Sequence, residues 1–160
     1  MRTLSKEELK KLYDEDFPLW AEINLQLLKE KAYHLVDWEN LLEEIEDMAN
    51  RYLDACISQL ARILEHLYKW DNLRKLAGGE YAGRSWIWGV ENARKEILKL
   101  FDRYPSLRNK LPLELTTAWK WARRDLEYWL KKNGYDPNKF HIPEECPYTY
   151  EKAMSRDLKE

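Results

Sequence analysis

The sequence is poor in the residues that break helices or cross-link small folds. Its 160 residues include 5 glycines, 6 prolines and 2 cysteines. So few glycines and prolines disfavour a β-sandwich or barrel, which needs a turn every ~8–12 residues. The cysteines, Cys56 and Cys146, have no metal-ligand spacing around them and are predicted to carry free thiols. The composition therefore favours a helical protein.

Long apolar runs are also missing. The chain begins with charged residues close together, and no stretch approaches the ~18 uncharged apolar residues of a membrane span. Hydrophobic residues make up 44% and charged residues 35%, which disfavours both disorder and a membrane protein. We expect a cytoplasmic protein with one domain over residues 1–160 and no membrane association.

The net charge of −2 conceals an uneven distribution. Residues 1–66 carry 8 Lys/Arg against 15 Asp/Glu, whereas residues 67–133 carry 15 against 8. One interpretation is that these charges face each other or solvent around one core. The other is a basic face that binds nucleic acid or an acidic partner.

Capping residues predict where the first helices begin. Ser5 and Asp16 are placed to cap helices over about 6–13 and 17–32. Asp37 precedes an apolar pattern that predicts a helix over 38–70, either continuous or made of two helices joined near Asn50. The helix from Phe17 is expected to bury its apolar stripe.

The second half of the chain contains similar signals. Ser85 is predicted to cap a helix over about 86–103, and Pro112 to open another that Gly134 ends. Thr149 would cap a last short helix. The sequence thus predicts an all-α fold, a single-domain helical bundle of about four main helices with short helices at both ends.

Several ordered motifs carry a resemblance to one family. Tyr13, Asp16 and Trp20 have the spacing Tyr-x-x-Asp-x-x-x-Trp, and residues 36–46 are similar to Leu-Asp-x-x-Asn-Leu-x-Glu-Glu-Ile-Glu, with Val36 in the first place. The other matching segments are His66-Leu67-Tyr68-Lys69-Trp70, Ser85-Trp86 with Val90, Arg94 and Ile97, Pro105-Ser106-Leu107-Arg108 and Pro143-Glu144-Glu145-Cys146-Pro147.

Over about residues 13–150 the chain resembles the domain-of-unknown-function family number twenty-nine. The resemblance implies an all-helical intracellular protein of prokaryotic type, and it supplies no catalytic residue. This chain has Ala82-Gly83 where the family usually has an Arg-Ser pair.

Arg94 is the most unusual polar residue of the sequence, because it points with the apolar stripe of its helix. A buried guanidinium needs a partner, and Glu44 on the edge of another apolar face is the preferred carboxylate, with His66 nearby. One interpretation is a buried salt bridge and polar network that fixes the helix register. The other is a cleft where Glu44 or His66 moves protons and Arg94 or Lys69 holds an anion.

Tryptophans beside basic residues form the second candidate site. Trp121 follows Lys120 and precedes Arg123 and Arg124, and both Trp121 and Trp88 fall outside the apolar stripes of their helices. Exposed tryptophans on basic helices indicate a partner surface or a dimer interface, and they could also stack on bases.

No motif predicts a metal site or a cofactor. The three histidines lack the Glu-x-x-His pairing of di-metal bundles, and no glycine-rich turn opens a helix. The sequence leaves open whether the protein is an enzyme, and it favours a non-enzymatic interaction module. The expected partner is a second copy or another protein, with nucleic acid less favoured. The alternative is a helical nuclease or phosphohydrolase that uses Glu44, His66 and Arg94.

Overall fold

A computed structural model describes residues 4–78 and 83–158. Over these ranges the chain is all-α, as predicted, and has no strand. The α-helices are α1 (Lys6–Glu15), α2 (Phe17–Lys29), α3 (Trp38–Asn72), α4 (Arg84–Arg103), α5 (Leu107–Lys110), α6 (Leu115–Lys132) and α7 (Tyr150–Ser155). Short 3-10 helices cover Tyr33–Leu35, Arg74–Ala77, Leu111–Glu114 and Pro137–Lys139. Ala82, which the resemblance places at the family's arginine, lies outside the described residues.

Residue contacts divide the chain into two compact units, Met1–Asn50 and Arg51–Glu160. The first unit contains α1, α2 and the first part of α3, and the second contains the other helices. α3 is one helix, which was one of the two predicted alternatives. The single domain predicted for residues 1–160 stays a prediction.

The first unit confirms the predicted caps and buries few side chains. Ser5, Asp16 and Asp37 each accept a hydrogen bond from the backbone N–H three residues later, at 3.2, 3.2 and 3.5 Å. Its buried residues are Leu9, Trp20, Asn24 and Val36. The prediction that the whole stripe of α2 is buried is wrong, because Phe17 remains 44% exposed. A unit of 50 residues has little interior.

The second unit has a continuous apolar core. The core contains Cys56, Leu60, Ile63, Leu64 and Leu67 of α3, Val90, Ala93, Ile97 and Phe101 of α4, Ala118, Trp119, Ala122 and Leu126 of α6 and Ala153 of α7. One side of α6 therefore faces the core. Both cysteines are free thiols, as predicted. Among the described residues, no helix combines the length and the apolar character that a membrane span requires.

The ends of α4 and α6 are set by glycines in left-handed conformations. The predicted Ser85 cap is wrong: Gly83, with φ of 87°, is the N-cap of α4, and Ser85 lies inside the first turn. Gly134, with φ of 85°, ends α6 as predicted. Its N–H and that of Tyr135 donate to the carbonyls of Lys131 and Leu130, a Schellman motif.

Of the other two predicted helix starts, the one at Thr149 is confirmed and the one at Pro112 is wrong. Thr149 caps α7 through a 3.1 Å hydrogen bond from the Lys152 N–H, as predicted. Pro112 does not open an α-helix. It lies in the 3-10 helix Leu111–Glu114, and α6 begins at Leu115.

Candidate functional site

Asp37 is the centre of a hydrogen-bonded network in the first unit. Its Oδ2 accepts from Trp20 Nε1 at 2.9 Å and from Asn40 Nδ2 at 2.7 Å. Its backbone N–H donates to Asn24 Oδ1 at 2.9 Å, and Asn24 Nδ2 donates to the Trp20 carbonyl at 2.8 Å. Since Trp20 and Asn24 are buried, the network satisfies polar atoms that water cannot reach. It also ties α2 to the start of α3.

Glu44 is engaged within the same unit. Its Oε1 accepts a hydrogen bond from the Tyr13 hydroxyl at 2.5 Å, and this bond raises the pKa of Tyr13 to about 12. The Tyr13 ring packs edge-on against Trp20, with the centroids 5.0 Å apart. Glu44 therefore joins α3 to α1.

Next to these contacts, α3 presents apolar side chains to solvent. We call Trp38, Leu42, Ile45 and Met48 the outer face of α3; they are 43%, 59%, 51% and 59% exposed. Trp38, Leu42 and Ile45 fall within about 60° around the helix, and Met48 lies beside them. Residues 38–50 also contain five carboxylates and no Lys or Arg. The outer face is thus an apolar stripe in acidic surroundings.

His66 belongs to the second unit and contacts α4. Its Nδ1 lies 3.3 Å from the Trp86 carbonyl oxygen. A Cβ atom at Gly89 would come within 2.3 Å of the same nitrogen, so only glycine leaves room for the ring. Burial, and then the positive charge of Lys69, lower the pKa of His66 to about 4. The imidazole is therefore neutral near pH 7.

Lys69 is a buried cation with an anion and two aromatic rings around it. The residue is 4% exposed, and its Nζ lies 2.7 Å from Glu65 Oε1. The same Nζ is 4.6 Å from the ring centroid of Trp129 and 5.8 Å from that of Trp86. A buried ammonium is tolerated when charge and π-faces surround it in this way. Lys69 is thus already paired within the protein and does not offer a free anion site.

Arg94 ends α7 by binding its carbonyls. Its Nε, Nη1 and Nη2 donate to the carbonyl oxygens of Ala153, Arg156 and Lys152 at 2.9, 2.8 and 3.3 Å. The last carbonyls of a helix lack partners inside the helix and carry partial negative charge, so a guanidinium binds them well. The prediction that Glu44 is the partner is therefore wrong, since these backbone oxygens satisfy the guanidinium.

The predicted cluster of Glu44, His66 and Arg94 is not observed as one set of contacts. Glu44 lies in the first unit, whereas the other two residues lie in the second. His66 packs against Gly89, which is about 140° away from Arg94 around α4. Each of the three residues has its own hydrogen-bond partners.

A surface cleft of about 730 Å³ lies beside α7. In its wall, Asp71 accepts from both Nη atoms of Arg156, at 2.7 and 2.8 Å, and from the Tyr148 hydroxyl at 2.7 Å. Burial alone would raise the pKa of Asp71, but these hydrogen bonds hold it below its ordinary value. The three charged and polar groups join α3 to the C-terminal segment.

The basic residues predicted on α6 do lie together. Lys120, Arg123 and Arg124 line a groove of about 420 Å³ with Thr116, Glu127 and Glu144. The two tryptophans of the same predicted site, Trp88 and Trp121, differ in their exposure to solvent. Trp88 is 68% exposed, as expected, whereas Trp121 is partly buried against the core. The prediction that Trp121 is a surface residue is therefore wrong.

Over residues 4–78 and 83–158, no group of three or more His, Cys, Asp and Glu side chains could hold a metal ion.

These contacts define an all-α protein in which the residues of the recognised motifs hold helices together. The family model of the Domain of unknown function DUF29 matches residues 12–158. The chain belongs to this family, which confirms the resemblance of its motifs. No curated protein and no solved structure matches the chain.

The outer face of α3 is the feature that sequence reasoning missed. Its apolar residues continue the stripe that is buried later in α3, so periodicity alone assigns them to a core. The available signal was charge: the same stretch has carboxylates and no cation. A stripe in such surroundings is more typical of a surface.

Proposed function

We propose that this protein is a non-enzymatic interaction module that binds a partner protein through the outer face of α3. The observation that carries the proposal is the exposure of Trp38, Leu42, Ile45 and Met48 on one side of a single helix. Adjacent apolar side chains left in contact with water mark interaction surfaces more often than scattered ones do. A tryptophan among them is typical of a residue that anchors a partner.

The contacts of the motif residues also support a binding role. Asp37, Glu44, His66, Lys69 and Arg94 all bind groups of this chain. Nothing in these contacts favours the nuclease or phosphohydrolase alternative, which needs a carboxylate or imidazole facing a substrate.

Site-specific photo-crosslinking tests the proposal. A photoreactive amino acid replaces Leu42 in one variant and Leu113 in another, and the cells that naturally make the protein are irradiated. Leu113 is 82% exposed in the second unit and serves as the matched control. We expect a discrete crosslinked protein from position 42 and none from position 113. Equal crosslinking at both positions, or none at position 42, would contradict the proposal.

Light scattering after size-exclusion chromatography separates the classes of partner. A crosslinked species at twice the mass of the chain, together with a dimer in solution, would assign the partner as a second copy. Incubation with RNA, DNA and nucleotides, with and without Mg²⁺, tests the enzyme alternative directly. Turnover that His66→Ala abolishes without loss of folding would replace the binding proposal.

A further inference from the structure

The charges around the outer face of α3 restrict what can bind there. Glu46 is exposed at one edge of the outer face, about 40° from Leu42 around α3, and no hydrogen bond or ion pair joins it to another residue of the described ranges. Glu39 is paired with Lys10 through a 2.7 Å contact. The complete first unit carries 6 Lys/Arg against 13 Asp/Glu. The apolar stripe therefore lies in a strongly negative field.

Electrostatics excludes several occupants. Two copies that met through this face would bring together the carboxylates at its edge, Glu39 and Glu46, which opposes a symmetric dimer. Phosphate groups of nucleic acids or lipid headgroups would be repelled in the same way. The face requires a ligand that is apolar at its centre and positively charged at its edges.

The geometry of the stripe matches one side of a helix. From Trp38 to Met48 the outer face extends along about 15 Å of α3, which is three turns. A second helix packed alongside can place apolar residues at positions i, i+3 or i+4, and i+7 against it. Lys or Arg residues beside that stripe would then lie opposite Glu39 and Glu46, which follow Leu42 around α3 at the edge of the outer face.

We infer that the ligand of the outer face is a basic amphipathic helix of a partner protein. The inference rests on the proposed function, because it names the partner class for the same surface. Apolar contacts with Leu42 and Ile45 supply affinity, while the carboxylates speed association and select against acidic helices.

Three labelled peptides of about 14 residues test the inference by fluorescence anisotropy. The first has Leu at helical spacing and Lys elsewhere, the second has Glu in place of every Lys, and the third scrambles the first so that no apolar stripe remains. We expect binding of the first peptide only, with affinity that falls as salt is raised.

Variants of the protein locate the binding surface. Ile45→Gln should weaken binding of the Lys peptide by about tenfold or more, because it removes a central apolar contact. Glu46→Gln should weaken binding and reduce its dependence on salt. Leu113→Gln, in the second unit, should leave binding unchanged. All the altered side chains are exposed, and circular dichroism checks that each variant remains folded.

The outcomes separate the inference from the proposed function. Equal binding of the Lys and Glu peptides would overturn the inference that the partner is basic, but the proposed function of the outer face as an apolar docking surface would remain. Binding of the scrambled peptide as tightly as the first would overturn helix recognition, since charge alone would then explain it. If neither amphipathic peptide binds, or if Ile45→Gln has no effect, the outer face is not the docking site.

Discussion

Replacing Glu65 with glutamine isolates the buried ion pair of the second unit. In the native chain Glu65 Oε1 lies 2.7 Å from Lys69 Nζ, and the two side chains are 14% and 5% exposed. Glu65→Gln keeps the length of the side chain and a carbonyl acceptor, but it removes the negative charge. Lys69 would then be a buried cation without its ion-pair partner.

The expected loss follows from the surroundings of Lys69. Removing one member of a buried pair costs about 3–5 kcal/mol. The Trp86 and Trp129 rings remain and contribute about 0.5–2 kcal/mol of cation–π attraction, so part of the stabilisation survives. We therefore expect Glu65→Gln to lower the free energy of unfolding by about 2–3 kcal/mol. The corresponding fall in Tm is roughly 5–10 °C.

A surface pair in the same unit provides the matched control. Glu96 lies 3.3 Å from Lys99, and the two side chains are 54% and 75% exposed. Glu96→Gln should change the free energy of unfolding by less than about 1 kcal/mol, because water screens the pair. Urea unfolding at pH 7, followed by tryptophan fluorescence, measures both variants.

Two results would refute the reasoning about Lys69. One is that Glu65→Gln lowers the free energy of unfolding by no more than Glu96→Gln does. The other concerns the double variant Glu65→Leu, Lys69→Met, which replaces the pair with apolar side chains. That variant should be more stable than Glu65→Gln, since no buried charge remains. A double variant less stable than Glu65→Gln would show that the unpaired charge of Lys69 is not the cause of the lost stability.

Three further predictions concern α4 and its contacts. The pKa of His66 is about 4 in the folded chain and 6.5 ordinarily. Between pH 6.5 and 4 the unfolded chain therefore binds a proton at His66 that the folded chain does not bind. The free energy of unfolding should therefore fall by about 3 kcal/mol as the pH drops from 6.5 to 4, and His66→Asn should flatten that part of a urea-unfolding pH profile. Arg94→Met should lower stability by about 2–4 kcal/mol and expose α7 to limited proteolysis, whereas Lys95→Met on the exposed side of α4 should do neither. Gly89→Ala should lower the free energy of unfolding by about 1–3 kcal/mol, because the added Cβ would displace the His66 ring, and this cost exceeds the gain from the better helix propensity of alanine. If the pKa of His66 measured by NMR is unchanged in this variant, the ring has not moved and the reason is contradicted.

Local signals in the sequence determined where several helices begin and end. Ser5, Asp16 and Thr149 cap their helices through side chains that reach only three residues along the chain. Gly134 ends α6 because its φ of 85° strains any residue with a side chain. These interactions need no other part of the molecule, so sequence alone predicts them. The regular spacing of apolar residues likewise determined the all-α class.

The tertiary structure decided what each helix face contacts. Arg94 has partners 58 to 62 residues away in the chain, and they are backbone oxygens that every sequence contains. No pattern of residue types can therefore identify them. Trp121 is covered although it lies off its helix's stripe, and Ile45 is exposed although it lies on one. Periodicity determines which side of a helix is apolar, but burial depends on whether another element packs against that side.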